Sequence, residues 1–548
     1  MTRIGTLWRT ARHLRATQII GRVKFRLWRP GIDSAPAPGL RRCKAAWTKS
    51  PERAASVTAP WVLKLLNDER DLNAVGWDDP SLAKLWRYNL HYFDDLNAAQ
   101  NECRTPFHHQ LIQRWIAENP PVAGSGWEPY PTSLRIVNWI KWFLRETPRE
   151  EYLNSLAVQV RWLEGRLEFH LLGNHLFANA KALMFAGLFF EGKESQRWLD
   201  RGTQIVEHEL QEQILPDGGQ FERTPMYQAL ALEDLLDLVN VCEVFVASPK
   251  YQALCADWRR VGRRMLRWLR CMTHPDGAYS HFNDCAQGLA PTMHELERYA
   301  HELGVTSPPL EREAVTRLQE SGYVRMSRGA CTILFDAAEV GPDYLPGHAH
   351  ADTLSLELSL GKRRILVNGG TSCYGLGEQR MFERGTPAHN TVTVDSRNSS
   401  EVWSGFRVGR RARPFGYMQA GWRVCCSHDG YRFLAGRPDH QRCIELLDRE
   451  LLVADRISAA ELSAIARYNL MPGLRWRLLG SEAWEIVDAD LVIATVAVER
   501  GRGSIRPAAY SPEFGVVQAT ECLEVELIDG ECATRWIWTN DAYPVSDR

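Results

Sequence analysis

Two histidines separated by one residue form the strongest candidate for a functional site in the sequence. The segment PGHAHADTLSLEL carries His348 and His350, and Asp352 follows just before a strand-like run. In an extended chain, residues i and i+2 project to the same side, so the two imidazoles should converge. Converging imidazoles suit a metal ion, or one ligand beside one catalytic base. The pattern favours a functional role over a structural one.

Two further motifs, LLGNHLFANAKAL and DGGQFERTPMYQAL, lie in the first half of the chain. Asn174 and His175 follow Gly173 where a turn becomes a helix, and both side chains could bind a ligand there. The structural alternative is that Asn174 caps the helix and His175 packs beside it. In the second motif, a proline at the helix start places Tyr227 in the first turn. Cationic neighbours that lower its pKa would make this tyrosine a general acid or base; the alternative is a packed helix end.

A glycine-rich connection between two strand-like runs, VNGGTSCYGLGEQRMFERGTPAHNTVTVD, forms the fourth candidate. It offers Asn368, Tyr374, Arg380, Arg384, His389 and Asn390. Loops with this density of titratable and hydrogen-bonding groups are where function usually lies. A solvated loop would supply the glycines and arginines but would not need the histidine and the tyrosine.

The elements that must position these residues change character along the chain. Between about 60 and 310, apolar residues recur at helical spacing, as in LRIVNWIKWFLRE, where Leu134, Val137, Ile140, Phe143 and Leu144 share one face. Similar segments follow at 152–167, 175–190, 199–213, 226–246 and 251–272. Short turns with Gly, Pro or Asp join them, which predicts antiparallel helical hairpins arranged as a closed toroid or a solenoid.

After about 320 the apolar residues alternate. In TLSLELSL, one face carries Leu354, Leu356, Leu358 and Leu360, and the other carries Ser355, Glu357 and Ser359. Further strand-like runs lie at 364–368, 391–395, 444–457 and 490–499. These runs predict an all-β domain, a large sandwich, with the boundary at 300–320, where Pro308 and Pro309 lie.

Composition limits the classes of partner. A formal net charge of -1 leaves no overall field to hold nucleic acid or an anionic membrane, so an acidic substrate needs a local basic cluster. The 20 tryptophans fit a glycan-binding protein, although tryptophan also packs cores. The 13 cysteines are scattered without a CxxC pair, which excludes a zinc ribbon. A regular disulfide framework is not expected, which favours a reducing compartment.

The first 30 residues form a basic segment, with Arg at 3, 9, 12, 15, 22, 26 and 29 among Leu, Ile and Trp. Its apolar runs are too short for a signal peptide or a membrane span. The pattern fits a helix on a membrane surface, but we expect a basic helix packed on the main body. The predicted domains are therefore a basic segment at 1–50, a helical domain at 51–310 and a sandwich at 320–548.

Six segments, in matching order, resemble heparinase II/III proteins. They are RYNLHYFDDL (87–96), GWEPYPTSLRIVNW (126–139), GNHLFANAKAL (173–183), LPDGGQFERTPMY (215–227), GHAHADTLSLEL (347–358) and AHNTVTVD (388–395). The NGGTS-like and SSEVWSGFRV-like stretches resemble a subgroup found with bacterial surface-polysaccharide gene clusters. The resemblance implies an α+β multidomain fold, an N-terminal incomplete (α/α) toroid followed by a C-terminal antiparallel β-sandwich. It also implies β-elimination on a uronic acid.

Such an elimination needs a neutralised carboxylate, a base at C5 and an acid at the leaving oxygen. By the resemblance, Asn174 and His175 hold the carboxylate. Tyr227 is the principal base or acid, with His348 as its partner and Tyr374 assisting. The residues predicted to line the sugar groove or clamp the anion are Asn89, His91, Trp127, Arg135, Glu222 and Arg223.

The resemblance also implies a metal site formed by His350, Asn368 and His389. One divalent ion, zinc or calcium, would be structural there, and no organic cofactor is expected. The third ligand in relatives is usually an acid, and Asn368 is a poorer zinc ligand because it lacks the charge. A second departure is Gln228, where many relatives have histidine; it bears on the substrate class.

The function expected from these observations is cleavage of a uronic-acid polysaccharide in bacterial exopolysaccharide, capsule or O-antigen metabolism. The family is commonly periplasmic, and the cytoplasm is the alternative because no signal peptide is visible. A glycoside hydrolase on the same scaffold is the enzymatic alternative, with Asp217, Glu222 and Asp352 as available but unpaired carboxylates. A non-catalytic glycan-binding or assembly protein is the third. The polymer, endo or exo action and the oligomeric state stay open.

Overall fold

The computed structural model describes residues 3–246 and 248–539. Residues 1–2 of the predicted basic segment and 540–548 of the predicted sandwich lie outside this range. A helical half is followed by a β half. The predicted fold class, a helical toroid followed by an antiparallel β-sandwich, is confirmed.

The helices lie close to the segments predicted from the apolar spacing. They are α1 (Arg3–Ala11), α2 (Ala16–Leu27), α3 (Leu72–Val75), α4 (Lys84–Tyr92), α5 (Thr105–Glu118), α6 (Pro129–Phe143), α7 (Glu150–Glu164), α8 (Gly173–Phe189), α9 (Lys193–Gln213), α10 (Pro225–Phe245), α11 (Pro249–Cys271), α12 (Met293–Glu302) and α13 (Glu378–Glu383).

Inner and outer helices alternate around the toroid. In α6, α8 and α10 most residues are buried, whereas α7, α9 and α11 are polar on one side. A helix that is apolar all round has to be enclosed, and an amphipathic helix can cover it. The single apolar face predicted for α6 was too narrow, because Arg135, Trp139 and Trp142 are buried as well.

The strands begin with a small antiparallel sheet ahead of the toroid, formed by β1 (Val57–Ala59), β2 (Val62–Leu65) and β3 (Asp68–Asp71). The others are β4 (Ala314–Arg317), β5 (Tyr323–Arg328), β6 (Cys331–Asp336), β7 (Leu356–Leu360), β8 (Arg363–Leu366), β9 (Val392–Val394), β10 (Val402–Trp403), β11 (Arg407–Val408), β12 (Pro414–Ala420), β13 (Arg423–His428), β14 (His440–Leu446), β15 (Glu450–Ile457), β16 (Ala464–Asn469), β17 (Leu474–Gly480), β18 (Ala483–Asp488), β19 (Leu491–Arg500), β20 (Arg502–Tyr510), β21 (Gln518–Glu526) and β22 (Glu531–Ile537).

Three antiparallel sheets make up most of the β half. Their strand orders are β4-β5-β6-β7-β8, β20-β21-β16-β9 and β12-β13-β14-β15-β22-β19-β18-β17. The apolar run 444–457, predicted as one strand, is part of a hairpin: β14 ends at Leu446 and β15 begins at Glu450. A disulfide joins Cys425 and Cys443 on the neighbouring strands β13 and β14, and no second disulfide occurs among the described residues.

The sheet β4–β8 forms the junction with the toroid. Leu356 and Leu358 of β7 pack into the sandwich core, as the alternation predicts. The opposite face is not exposed: Glu357 is 1 % exposed, and its Oε2 lies 2.7 Å from His274 Nε2. Because His274 belongs to the toroid, the second face of β7 is covered by the helical half, which sequence alternation cannot reveal.

Candidate active site

A cleft of about 830 Å³ lies where the toroid meets the sandwich. Its toroid wall follows α6, α8 and α10, and its sandwich rim carries Leu345, His348, Tyr374 and Phe406. Among the described lining residues, the aromatic side chains are Tyr88, Tyr92, Tyr130, Tyr227, Tyr374 and Phe406. Tryptophans do not line this cleft; Trp115, Trp139, Trp142, Trp198 and Trp268 are buried in the toroid core. Most of the tryptophans thus pack in the toroid, and four more, Trp476, Trp484, Trp536 and Trp538, pack in the sandwich core.

One end of the cleft contains predicted catalytic residues from both halves. We define the catalytic end as Asn174, His175, Glu222, Tyr227, His348 and Tyr374, all of which line the cleft. The groove shared by the helical half and the sandwich is thus present.

Two inner helices begin at the catalytic end. Helix α8 begins at Gly173 with Leu172 as its N-cap, so Asn174 is not the cap that the structural alternative required. Gly173 has φ +58°, and a Cβ there would lie 2.4 Å from Leu345 Cδ2 in the cleft rim. Glycine is needed for both reasons. Helix α10 begins at Pro225, which places Tyr227 in its first turn as predicted.

Tyr227 is the centre of an aromatic group. Its hydroxyl lies 3.1 Å from the Tyr374 hydroxyl, and its ring centroid lies 4.1 Å from that of His348. Burial, reinforced by Tyr374, raises the pKa of Tyr227 well above its ordinary value. The expectation that cationic neighbours lower this pKa is therefore wrong. A phenol that keeps its proton is suited to donate one.

His348 is oriented by a buried carboxylate. Its Nδ1 lies 2.9 Å from Asp284 Oδ2, and Arg380 donates to the same oxygen at 2.7 Å. Burial alone would raise the pKa of Asp284, but Arg380 and the two histidine bonds hold it well below the usual range. The ionised Asp284 accepts the Nδ1 proton. A neutral His348 therefore carries its lone pair on Nε2, which suits a base.

The pair His348 and His350 does converge, but on Asp284. His350 Nε2 lies 2.8 Å from Asp284 Oδ1, on the other oxygen of the same carboxylate. His350 is fully buried, whereas His348 lines the cleft. One histidine is thus available to a substrate and the other fixes the carboxylate from behind.

His175 forms a second ion pair at this end, with a half-buried imidazole and a buried carboxylate. Its Nδ1 lies 3.2 Å from Glu168 Oε1, and its ring centroid lies 4.4 Å from that of Tyr130. Burial alone would lower the pKa of His175, but the Glu168 carboxylate outweighs it and the pKa lies above the ordinary value. The imidazole therefore favours its charged form beside Asn174, whose amide makes no hydrogen bond to another described residue.

Glu222 lines the cleft as predicted. Its side chain is almost fully buried, and burial raises the pKa of its carboxyl group. Glu222 Oε2 lies 3.9 Å from His348 Nε2. A carboxyl group that favours its neutral form places little negative charge against an acidic substrate.

The other end of the cleft contains ion pairs. We define the paired end as Arg53, Lys141, Lys181, Glu233, Asp234 and Asp237, all of which line the cleft. The closest contacts are Arg53–Glu233 at 2.6 Å, Lys141–Asp237 at 2.5 Å, and Lys181–Asp234 and Lys181–Asp237 at 2.6 Å. Lys84, on the rim, lies 2.9 Å from Glu128. Each Lys or Arg that lines the described cleft thus has an acidic partner.

The structure does not bring four of the predicted substrate-binding residues to the cleft. His91 is fully buried, and its Nδ1 accepts from Trp115 Nε1 at 3.0 Å. The Arg135 guanidinium stacks on the Trp115 ring at 3.9 Å and donates to the carbonyl of His91. Trp127 packs against Trp115 in the same core. These three residues pack in the toroid interior, and Arg135 is there because α6 is buried on nearly all sides.

Arg223 is the fourth. It donates to the carbonyl oxygens of Ser321 and Gly341 at 3.0 Å each, so it ties the toroid to the first loops of the sandwich. Asn89, in contrast, lines the cleft and donates to Leu85 O at 2.8 Å.

The structure brings together two of the three predicted metal ligands. His350 Nδ1 lies 3.3 Å from His389 Nε2. Asn368 is engaged elsewhere: its Oδ1 accepts from the Asn390 amide at 3.1 Å and its Nδ2 lies 3.4 Å from Ser355 Oγ. Within 3–246 and 248–539, no group of three His, Cys, Asp or Glu side chains is arranged to hold a metal. The residues present do not fit a three-ligand site, and the predicted metal stays a prediction.

Two carboxylates considered for a hydrolase lie outside the cleft. Asp217 accepts from the Ser321 amide at 2.8 Å, and Asp352 accepts from the Asn283 amide at 3.1 Å. Both support loops. Of the three candidates, only Glu222 lines the cleft.

Asp284 and Glu168, which orient His348 and His175, were not predicted from the sequence. Asp284 lies in SHFNDC at 280–285, a segment without a motif, and its partners follow more than 60 residues later. The neighbouring Asn283 has φ +57°, a conformation that Asn tolerates better than most residues. The backbone conformation is known only from the structure, so the sequence did not mark this turn. Arg380 was a candidate residue of the glycine-rich connection, but the sequence did not indicate that Asp284 is its partner.

Comparison with known proteins gives matches to both halves. Residues 98–303 match the family description "Heparinase II/III N-terminus", and residues 311–539 match "Heparinase II/III-like, C-terminal". Together these ranges include α6, α8 and α10 of the cleft wall and nearly all of the sandwich, whereas α4, which also lines the cleft, precedes them.

Curated relatives and a solved structure extend the match. A heparin-sulfate lyase of Bacteroides stercoris is 22% identical over 63% of this chain and 54% of its own length. A heparin-sulfate lyase of Pedobacter heparinus is 36% identical over 45% of this chain and 40% of its own. The chain spans about half the length of the curated relatives it matches. A crystal structure of heparinase III aligns with a TM-score of 0.65 at 15% identity, over 96% of this chain and 86% of that one.

Proposed function

Because the chain belongs to the heparinase II/III-like family, we propose that it is a polysaccharide lyase that cleaves a uronic-acid glycan by β-elimination. The observation that carries this proposal is the catalytic end of the cleft. There an amide, an imidazole paired with Glu168, a phenol and a second imidazole oriented by Asp284 face one groove.

The first task is to neutralise the substrate carboxylate. Asn174 and His175 lie side by side in the first turn of α8, and Glu168 favours the charged form of His175. The amino end of α8 adds a partial positive charge at the same place. These groups would stabilise the enolate-like charge that develops as the C5 proton leaves.

The second task is to move two protons. We assign the base to His348, whose Nε2 lone pair is set by Asp284, and the acid to Tyr227, whose phenol keeps its proton. His348 would take the C5 proton while Tyr227 protonates the leaving oxygen. Since the rings are neighbours, the proton on His348 can return to the Tyr227 phenolate after release of the product. Tyr374 would stabilise that phenolate by its hydrogen bond.

The paired end bears on the substrate class. A heavily sulfated chain is bound by unpaired cations, whereas Arg53, Lys141 and Lys181 already have acidic partners. We therefore propose a uronic-acid polymer of low sulfate content from bacterial exopolysaccharide, capsule or O-antigen metabolism. The periplasm is the proposed location, by analogy within the family.

The test is incubation with bacterial uronic-acid polysaccharides while the ultraviolet absorbance of an unsaturated uronate is followed. The proposal expects absorbance to rise together with new chain ends. New reducing ends without absorbance would indicate hydrolysis and overturn it. Binding without any cleavage across the panel would indicate a glycan-binding protein instead.

A further inference from the structure

Helix α1 contacts the sandwich through its polar side. The Thr6 hydroxyl and the Arg9 Nε each donate to Glu401 at 2.8 Å. Trp403 Nε1 donates to the Thr10 hydroxyl at 3.0 Å. Residues 6, 9 and 10 lie on one side of a helix, so this side faces the body.

Helix α2 also contacts the body through a mostly polar and small side. Gln18 donates to Tyr344 O at 3.2 Å. A Cβ on Gly21 would lie 2.9 Å from the His170 backbone nitrogen, so the helix backbone approaches the toroid closely. The Phe25 ring packs at 4.2 Å from the His170 ring. Residues 18, 21 and 25 share one side, which fixes the orientation of the helix.

The opposite sides of both helices carry large apolar residues in solvent. We define this outward apolar face as Ile4, Leu7, Trp8, Ile19, Ile20, Val23 and Leu27, all exposed. Ile4 is 80 % exposed and Leu27 is 82 % exposed. An amphipathic helix on a soluble domain normally buries its apolar face. Here the orientation is inverted on both helices, and exposed apolar side chains grouped in this way mark an interaction site.

The charges beside this face have one sign. No Asp or Glu occurs before Asp33, and the exposed basic side chains are Arg12, Arg22, Lys24, Arg26 and Arg29, whereas Arg15 is paired with Glu212 of the toroid at 2.5 Å. On α2, Arg22 and Arg26 flank the apolar side on one edge and Lys24 on the other, by helical spacing. Cationic residues bordering an apolar strip match the boundary between anionic headgroups and acyl chains.

We propose that the outward apolar face docks on an anionic lipid bilayer. A second copy of the chain would oppose like charges, and an acidic polysaccharide would leave the aliphatic side chains in water. A bilayer interface accommodates both the basic side chains, at its headgroups, and the apolar side chains, at its acyl chains. No helix among the described residues meets the length and hydropathy needed to cross a membrane. The proposed contact is peripheral, and it does not depend on the proposed lyase activity.

The docking would bring the cleft to the lipid surface. Tyr344, which holds α2, precedes Leu345 of the cleft rim, and Trp403, which holds α1, ends β10 just before the turn that contains Phe406. The two segments that anchor the helices therefore lead directly into the rim. A glycan held near a membrane would reach the cleft from that side.

The experiment is sedimentation of the full chain with vesicles of equal parts phosphatidylcholine and phosphatidylglycerol, beside vesicles of phosphatidylcholine alone. The variant Ile20→Ser/Val23→Ser/Leu27→Ser removes aliphatic surface from α2 without touching its contacts to the body. The matched control is Leu478→Ser/Leu479→Ser, which removes two exposed leucines of β17. Circular dichroism checks that each variant is folded.

The native chain and the β17 control should bind the anionic vesicles, more weakly as salt increases. The α2 variant should show a partition coefficient lower by roughly a hundredfold, since each lost side chain contributes about 1 kcal/mol or more. No binding by the native chain, or equal binding by the α2 variant, would overturn the proposal. Concentration-dependent self-association that the α2 variant abolishes, without vesicle binding, would assign the face to a second copy instead.

Discussion

The two ends of the cleft differ in what their buried charges do. At the catalytic end, Asp284 and Glu168 each hold one nitrogen of a histidine and leave the rest of the ring to the groove. At the paired end, Lys181 lies between two carboxylates, and Lys141 and Arg53 each have one. Buried acids are therefore used in one region to orient reactive groups and in the other to neutralise cations.

This difference separates the end of the cleft that would carry out catalysis from the end that would select the substrate. A histidine oriented by a carboxylate keeps a lone pair or a charge for the substrate. A lysine whose charge is already paired contributes hydrogen bonds and shape but little attraction for extra sulfate groups. Substitutions at both ends of the cleft can test this separation of roles.

The largest effect is expected from Tyr227→Phe. Loss of the proposed proton donor should lower kcat by about 10²–10⁴-fold, because proton transfer to the leaving oxygen is no longer assisted. Glycan binding and thermal stability should change little. Tyr417→Phe is the matched control: this half-buried tyrosine of β12 lies in the sandwich, away from the cleft, and its hydroxyl donates to Gln419. Turnover by Tyr227→Phe near the native rate would rule out the assignment.

Asp284→Asn should affect both rate and stability. Without the carboxylate, His348 loses its fixed tautomer, and kcat should fall by about a hundredfold or more. Arg380 is left as an unpaired buried cation, which should cost about 3–5 kcal/mol of unfolding free energy. Kinetics and thermal unfolding measure the two effects. If both stay at native values, Asp284 does not orient the site.

The third effect concerns pH. The folded pKa of His175 is raised, so its charge is present at low pH and is lost as pH rises through that pKa. KM for an acidic glycan should increase over the same range because the carboxylate loses its partner. Glu168→Gln should move this rise in KM to lower pH. A KM profile that is identical in the two proteins would contradict the role of the pair.

The smallest effect is expected at the paired end. Asp234→Asn leaves Lys181 paired with Asp237 only, so some positive charge becomes available to the ligand. The ratio of kcat/KM for a sulfated over an unsulfated glycan should rise by no more than about fivefold, since partly exposed pairs contribute little. Asp257→Asn on the outer helix α11 is the control. A fall in the ratio would show that the paired end does not limit sulfate binding.

Sequence alone predicted the fold and part of the site, for reasons that particular residues make clear. Spacing placed Tyr227 in a first turn, and i to i+2 geometry correctly predicted that His348 and His350 converge. Their common partner Asp284 could not be predicted, because that contact joins segments far apart in the chain. Arg135 was misassigned as an anion clamp because one apolar stripe does not reveal that α6 is enclosed on all sides.

Contacts between distant segments also determine what the charged residues do, and these contacts could not be predicted from the sequence. From the sequence, Lys141 and Lys181 are ordinary helix cations, and only the tertiary structure shows that they share Asp237. The first 30 residues were expected to pack on the body, and they do contact it. The apolar sides of these helices face outward because the polar sides hydrogen-bond to Glu401 and Tyr344 of the body, and the sequence does not reveal these contacts.

The central claim is that His348 and Tyr227 divide the two proton transfers. It is tested most directly by exchange of the substrate C5 proton in heavy water, followed by nuclear magnetic resonance. Tyr227→Phe should still exchange this proton without cleaving the chain, whereas His348→Gln should do neither. Exchange by His348→Gln, or loss of exchange in Tyr227→Phe with substrate still bound, would contradict the division of roles.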